Sequence, residues 1–290
     1  MSNERRLPPT FIPVIVLLVG VGSLCTRAEN IDPDDDGSQY AYAENIGWLN
    51  AEPNGDGANG VQVDDFGLTG WMWGENAGWI SLSCENTSSC GTTDYRVNND
   101  GAGNLSGFAW SENGGWVNFA PSTSSASISP ITGEFSGYAW MENLGWINLS
   151  CANTASCGTV DYGIKTDWCQ AIVAAPSGTP DVSATPSGSD VELSYPALAG
   201  AGWYEIVRGD LSTLSSSSGN FTSATDACVT DNDTTTTVTV SGTPIPSPGD
   251  GYWYLVRGVN CKGKGTYDSG GTAQSGLRDA EVAGSGNDCQ

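Results

Sequence analysis

Histidine is absent from all 290 residues. That removes the commonest general base, the Ser-His and Cys-His routes to an activated nucleophile, and most catalytic zinc sites. Carboxylate-only chemistry, as in glycoside hydrolysis, survives the exclusion. Basic residues are scarce as well. Ten Lys and Arg stand against 33 Asp and Glu, a formal net charge of −23. No basic cluster offsets this, so a phosphate backbone is repelled and nucleic acid is not an expected partner. Such a surface keeps a chain soluble, and divalent cations are the one partner class it attracts. Long apolar runs are missing too. The stretch from Phe11 to about Leu24 has 14 residues, Pro13 included, against the roughly 20 that a membrane-spanning helix needs. No window carries a sustained helical period, and the chain is expected to be all-β.

That apolar stretch follows Arg5 and Arg6 and precedes Thr26-Arg27-Ala28, the pattern of a secretory signal cleaved after Ala28. Residues 1–28 are therefore read as a signal peptide. The mature chain is expected to be secreted, extracellular or at a cell surface, with no permanent membrane span. Cys25 follows Gly22-Ser23-Leu24, which departs from a lipid-attachment box. Loss of residues 1–28 leaves 7 Lys and Arg against 32 Asp and Glu, a net charge near −25. Eight cysteines remain, an even number that reads as a disulfide framework in an exported protein. Cys84-Glu-Asn-Thr-Ser-Ser-Cys90 and Cys151-Ala-Asn-Thr-Ala-Ser-Cys157 are equivalent, and closing either loop is worth roughly 2 kcal/mol in the chain-entropy model. Their spacing does not suit a zinc site. Cys84 is expected to pair with Cys90, Cys151 with Cys157, and Cys228 with Cys261 at a shared pole of the C-terminal region. Cys169 is then left with Cys289.

What the chain has in abundance is one motif. Tyr42-Ala-Glu-Asn-Ile-Gly-Trp48, Trp73-Gly-Glu-Asn-Ala-Gly-Trp79, Trp110-Ser-Glu-Asn-Gly-Gly-Trp116 and Trp140-Met-Glu-Asn-Leu-Gly-Trp146 are four copies, and self-similarity at a regular period marks a repeat architecture. The closing tryptophans are 31, 37 and 30 residues apart, so the true period is two motifs, about 67 residues. Gly78-Trp-Ile-Ser-Leu-Ser-Cys84 with Gly91-Thr-Thr-Asp-Tyr95 matches Gly145-Trp-Ile-Asn-Leu-Ser-Cys151 with Gly158-Thr-Val-Asp-Tyr162. Each motif reads as a β-hairpin, with a Gly- and Asn-containing connection between alternating runs. Alternation puts Tyr138, Trp140 and Trp146 on one face and Gly137, Ala139, Ile147 and Leu149 on the other. Aromatics that recur in every copy are expected to form the core. Further short strands are expected at Val61–Val63, Tyr95–Val97 and Ala126–Ile128, with a turn over 54–60. Whether the units form a sandwich, a solenoid or a partial propeller is left open.

The stretch from Ala174 to Ser189 is rich in Pro, Ser and Gly and reads as a linker. Candidate strands follow at Val191–Tyr195, Trp203–Arg208, Thr236–Val240, Tyr252–Arg257 and Arg278–Val282, the spacing of a sandwich. The expected organisation is an acidic leader at 29–39, a tandem repeat β domain at 40–168, a linker beginning at 169–178, and a second domain at 179–290. Residues 40–166 resemble the tandem Trp-x-Glu-Asn-x-Gly-Trp-Ile-x-Leu repeats of large exported bacterial surface proteins of unassigned activity. Residues 179–289, with Trp203-Tyr-Glu-Ile-Val-Arg-Gly-Asp210 and Tyr252-Trp-Tyr-Leu-Val-Arg-Gly-Val-Asn-Cys261, resemble a fibronectin type III-like module. The resemblance implies spacers or contact surfaces and brings no catalytic residue with it.

Candidate sites are few. Asp32, Asp34 and Asp36 sit at alternate positions before Gly37, like the start of a calcium loop, but the twelfth position is Ala43, and a disordered acidic leader is the expected state. Glu44, Glu75, Glu112 and Glu142 occupy equivalent turns, whereas an acid–base pair needs unlike environments. Their expected role is to accept hydrogen bonds from backbone donors of the turns, beside asparagines (Asn76 and Asn143 among them) that tolerate unusual dihedrals. Arg208-Gly209-Asp210 spells an adhesion tripeptide but is expected to end a strand. The sequence thus points to a non-catalytic structural or adhesive protein without a cofactor. Its expected partner is a cell-surface or extracellular polysaccharide or protein. The alternative is a carbohydrate-binding protein that stacks sugars on the Trp and Tyr side chains of the repeats, Trp48, Trp79, Trp110, Trp116, Trp140 and Trp146 among them. Burial of those rings separates the two.

Overall fold

Glu-Asn-x-Gly closes each of four hairpins, and the reason lies in its glycine. Gly47, Gly78, Gly115 and Gly145 have φ of 77°, 70°, 75° and 96°, a conformation that lets a three-residue connection end in a bulge and return the strand antiparallel. In the computed structural model, which describes residues 30–53, 59–171, 173–243, 246, 249–272, 274 and 276–289, the hairpins are Tyr40–Ala43 with Gly47–Asn50, Trp71–Gly74 with Gly78–Ser81, Leu105–Ser111 with Gly115–Asn118, and Tyr138–Met141 with Gly145–Asn148. The expected signal segment and most of the turn over 54–60 lie outside the described residues.

Neighbouring hairpins pair edge to edge, through Leu49 opposite Gly74, Ile80 opposite Ser111 and Asn118 opposite Trp140. Tyr42 opposite Asn148 joins the first hairpin to the last. The result is a closed antiparallel barrel of eight strands. Closure leaves these strands no open edge and settles the shape that the sequence left open.

The barrel also decides which face of each strand is inside. Ala41, Leu49, Met72, Ile80, Ala109, Val117, Ala139 and Ile147 are all buried and fill its bore. Large side chains lie over absent ones: a Cβ on Gly74 would meet Leu49 Cδ2 at 2.4 Å, and one on Gly114 would meet the Met141 sulfur at 2.2 Å. An eight-stranded bore is only just wide enough for side chains of this size. The expected aromatic core is therefore corrected. The two faces were divided as the alternation indicated, but the rings are on the outside, with Trp48 45% and Trp146 41% exposed.

Short strands extend the barrel at one end. Gln62–Val63, Gly67–Thr69 and Val97–Asn99 continue from the long strand Leu105–Ser111, and Ser127–Ile128 pairs with Phe135–Ser136. The strand expected at Tyr95–Val97 thus begins two residues later. The acidic leader is ordered, contrary to expectation. Ile31 bridges Thr166, Gln39 bridges Ile164, and Lys165 donates its amide to Ser38, so the start of the repeat region clasps its end.

Beyond the barrel, Ser183–Ser187, Asp190–Ser194 and Thr237–Val240 form a three-stranded sheet. A second sheet runs Thr225–Asp233, Trp203–Asp210, Tyr252–Asn260, Gly263–Lys264 in spatial order. Leu193, Tyr195 and Val240 from the first pack with Tyr204, Ile206 and Val256 from the second. Ser183–Ser187 is a fully exposed edge strand, so the stretch read as linker contains regular structure near its end. Arg278–Ala283 is a helix rather than a strand. Its two apolar residues in the expected segment, Ala280 and Val282, are two apart as in a strand, but on the helix they fall on opposite sides and Val282 alone is buried, against Phe221 and Tyr267. Arg208-Gly209-Asp210 ends its strand, and Asp210 caps the next helix by accepting from the Thr213 amide.

Four disulfides fit an oxidising compartment. Cys84–Cys90 and Cys151–Cys157 form as expected. The other two are exchanged: Cys169 bonds Cys261, and Cys228 bonds Cys289. Val207 lies opposite both Cys228 and Leu255, so Cys261, six residues beyond Leu255, sits roughly 20 Å further along the sheet at about 3.3 Å per residue. The two were never at one pole. Cys261 instead lies against the barrel, where its amide donates to Ile131 beside Cys169. Among the described residues no helix is long and apolar enough to cross a membrane.

Candidate functional site

The outer face of the barrel repeats one arrangement four times. In each hairpin the closing tryptophan meets the motif's first aromatic across the strand pair: Trp48 with Tyr42 at 5.0 Å, Trp79 with Trp73 at 4.9 Å, Trp116 with Trp110 at 4.8 Å and Trp146 with Trp140 at 5.0 Å between ring centres. A third ring, Tyr40, Trp71, Phe108 or Tyr138, stands 6.1–6.4 Å away on the other side. The rings are tilted or edge to face, the geometry their quadrupoles favour. Each leaves part of its surface to solvent.

The asparagine of the motif ties the ring of hairpins together. Asn45 Nδ2 donates to the carbonyl of Leu144 at 2.9 Å, Asn76 to Ile46 at 3.1 Å and Asn113 to Ala77 at 3.4 Å. At the fourth junction the Asn143 amide donates to Gly114 at 3.1 Å. Each hairpin therefore holds the turn of the one before it. None of these asparagines has a positive φ, which corrects the expectation that they serve to accommodate strained turns. The expected role of the glutamates is also revised. Among the described residues only Glu142 of the four accepts a backbone hydrogen bond, from Trp116 of the preceding hairpin. Asn76→Ala is expected to lower stability by about 1 kcal/mol, the net worth of one such bond. An unfolding midpoint in urea that shifts with unchanged slope checks this.

Two of the four junctions become grooves, because the disulfide loops and their following tyrosines wall them. The first, of about 930 Å³, lies between the fourth and first hairpins, with Trp146 and Trp48 on either side and Tyr162 between. The second, of about 950 Å³, lies between the second and third, with Trp79, Trp116 and Tyr95 in the same places. Tyr162 stacks edgewise on Trp48 at 5.3 Å and Tyr95 on Trp116 at 5.4 Å. Asn148 donates to the Tyr162 hydroxyl at 2.7 Å, and the Tyr95 hydroxyl donates to Ser81 at 2.9 Å. Burial, and after it the neighbouring Tyr138 and Tyr42, push the Tyr162 phenol above its ordinary value, so it keeps its proton at neutral pH.

No family model matches the chain, and no curated protein matches it. The grooves must be read from their own chemistry.

That chemistry is aromatic wall with a polar margin. Thr154 and Ser156 in the first groove and Thr87 and Ser89 in the second present hydroxyl groups, and one motif glutamate lines each, Glu44 or Glu112. A glycosidase needs two carboxyl groups about 5–10 Å apart across the bond it cleaves, and among the described residues neither groove is lined by a second. The disulfide loops are fixed from behind: Asn86 both accepts from and donates to the backbone of Gly70, and Asn153 does the same to Gly137. Cys84 and Cys90 lie close to Asp94, and Cys151 and Cys157 to Asp161, but each pair of sulfurs is bonded to itself and offers no thiolate to a metal. Asp32, Asp34 and Asp36 do not gather into a cluster able to share an ion among the described residues. Asp32 accepts from the amides of Asp36 and Gly37, Asp34 pairs with Lys165, and Asp36 accepts from Ser38.

Sequence reasoning named the tryptophans as site residues but used Tyr95 and Tyr162 to establish the period, and Tyr95 to begin a strand, without placing either in the site. Their recurrence after each disulfide loop, in Gly-Thr-x-Asp-Tyr, is the signal that could have marked them as part of the site.

Proposed function

We propose that this is a non-catalytic, secreted carbohydrate-binding protein whose barrel holds a neutral polysaccharide, and that its C-terminal region is a fibronectin type III-like spacer. The observation that carries the reading is the placement of the motif aromatics on the open outer face, in grooves edged by hydroxyl and carboxylate groups. Contiguous exposed apolar surface rimmed by polar groups marks a binding site. Flat rings offer the apolar faces of sugars a platform, and the polar rim takes their hydroxyl groups. The charge of −23 disfavours polymers of acidic sugars. The spacer reading draws on the three-stranded and four-stranded sheets packed on each other, and secretion on the signal-like segment together with the disulfides.

The expected result is retention of the full chain on an insoluble neutral polysaccharide such as cellulose or chitin. Replacing Trp48 and Trp116 together by Ala should weaken retention at least about tenfold, since aromatic anchors dominate binding energy where they occur, while all four disulfides still form. Wild-type protein that passes through every neutral polysaccharide matrix, or a double variant retained as well as wild type, sinks the reading.

A further inference from the structure

We infer that the barrel binds two glycan chains at once and cross-links them. The inference rests on the carbohydrate-binding reading and adds to it a number and a geometry. The hairpins close a ring in sequence order. The junction of the fourth with the first and the junction of the second with the third are therefore diametrically opposed. Eight strands about 4.8 Å apart and tilted by about 40° make a ring roughly 16 Å across at the backbone. The groove floors face away from each other across that width. A stiff extended chain lying in one groove leaves the barrel without turning half its circumference to reach the other. Two occupied grooves on one barrel thus mean two chains.

The grooves are equivalent in construction, since residues 67 apart, or 68 for the tryptophans of the first and third hairpins, fill the same places. Trp146, Tyr162 and Glu44 of one correspond to Trp79, Tyr95 and Glu112 of the other. They are not identical. The first is lined by Tyr138 and Tyr42 where the second has Trp71 and Trp110. The second groove therefore offers more ring surface and is the tighter of the two. The other two junctions carry no disulfide loop, and aromatic rings without that wall form no comparable groove among the described residues. The repeat of about 67 residues, rather than the single hairpin, is in this sense the functional unit. Duplicating it turns a binder into a linker, and linked sites gain avidity without new contacts.

The test uses the full oxidised chain with soluble cello- and chito-hexasaccharides, followed by isothermal titration and native mass spectrometry, and then with long soluble hydroxyethyl cellulose and glycol chitin, followed by turbidity. Two hexasaccharides per chain are expected for whichever sugar binds, the tighter lost in Tyr95→Ala and the weaker in Tyr162→Ala, each variant keeping one. Wild type should cloud the matching polymer, and either single variant should bind it without clouding. Glu44→Arg and Glu112→Arg, at exposed positions, repeat the experiment should a tyrosine variant misfold. A stoichiometry of one, or clouding that survives in a single-groove variant, overturns the cross-linking proposal and leaves carbohydrate binding intact. Failure of wild type to bind any hexasaccharide or polymer overturns both.

Discussion

Leu49→Ala is expected to destabilise the barrel by about 2–5 kcal/mol, and Trp146→Ala, although it removes a far larger side chain, by no more than about 2–3 kcal/mol, since only part of the ring surface leaves water. Leu49 is fully buried in the bore and lies over Gly74, whose missing side chain makes room for it. Removing its methyl groups leaves a void that a ring of hydrogen-bonded strands cannot collapse to fill. Trp146 already gives 41% of its surface to water, and its loss forfeits edge contacts with Trp140 and Tyr138 without opening the interior. Denaturant unfolding of both full-length variants checks the order. Equal losses, or a larger one for Trp146→Ala, would show that the outer rings hold the barrel together and are not held ready for a ligand.

The reason this order is hard to foresee is that the opening strand of each hairpin places aromatic residues on one face and small or aliphatic ones on the other, so that neither face is plainly polar. Alternation in Tyr138-Ala139-Trp140-Met141 separates large aromatic from small or aliphatic, not apolar from polar, and hydrophobicity alone gives the core to the larger set. The bore of an eight-stranded barrel decides otherwise. That in turn depends on Tyr42 meeting Asn148, a contact across about a hundred residues that no local pattern contains. What was local was legible: the four hairpins, the two equivalent disulfide loops and the period of about 67, although the left-handed residue of each turn is the glycine and not the asparagine beside it. The Asn45, Asn76 and Asn113 side chains recur in the motif, yet their partners belong to the preceding hairpin, so the motif shows that they matter without showing why. Cys228 and Cys261 failed for the same kind of reason. Each is placed by the strand it sits on, and only the antiparallel order of three strands shows that they lie far apart.

Glycines of the repeat region should differ widely in what they tolerate. Gly137→Ala is expected to cost on the order of 4 kcal/mol or more, in the range reserved for steric conflict in a packed site, and Gly47→Ala about 1–2 kcal/mol, the price of the left-handed conformation alone. Both residues have positive φ, 80° and 77°. A Cβ on Gly47 meets nothing within 4 Å, whereas one on Gly137 would come within 1.9 Å of the Ser125 carbonyl oxygen. Nor can the backbone retreat, because Asn153 holds Gly137 from both sides, accepting from its amide at 3.0 Å and donating to its carbonyl at 2.9 Å. Asn153 sits inside the Cys151–Cys157 loop, so the clamp that fixes Gly137 is the same loop that walls the first groove. The effect should therefore reach the site. Gly137→Ala is expected to loosen Tyr162 and weaken glycan binding in the first groove by more than Gly47→Ala, which strains the turn before Trp48 but leaves the disulfide loop in place. Thermal melts with groove-resolved titration would decide it, and equal stability of the two variants would mean that the Ser125 segment gives way where the contacts say it cannot.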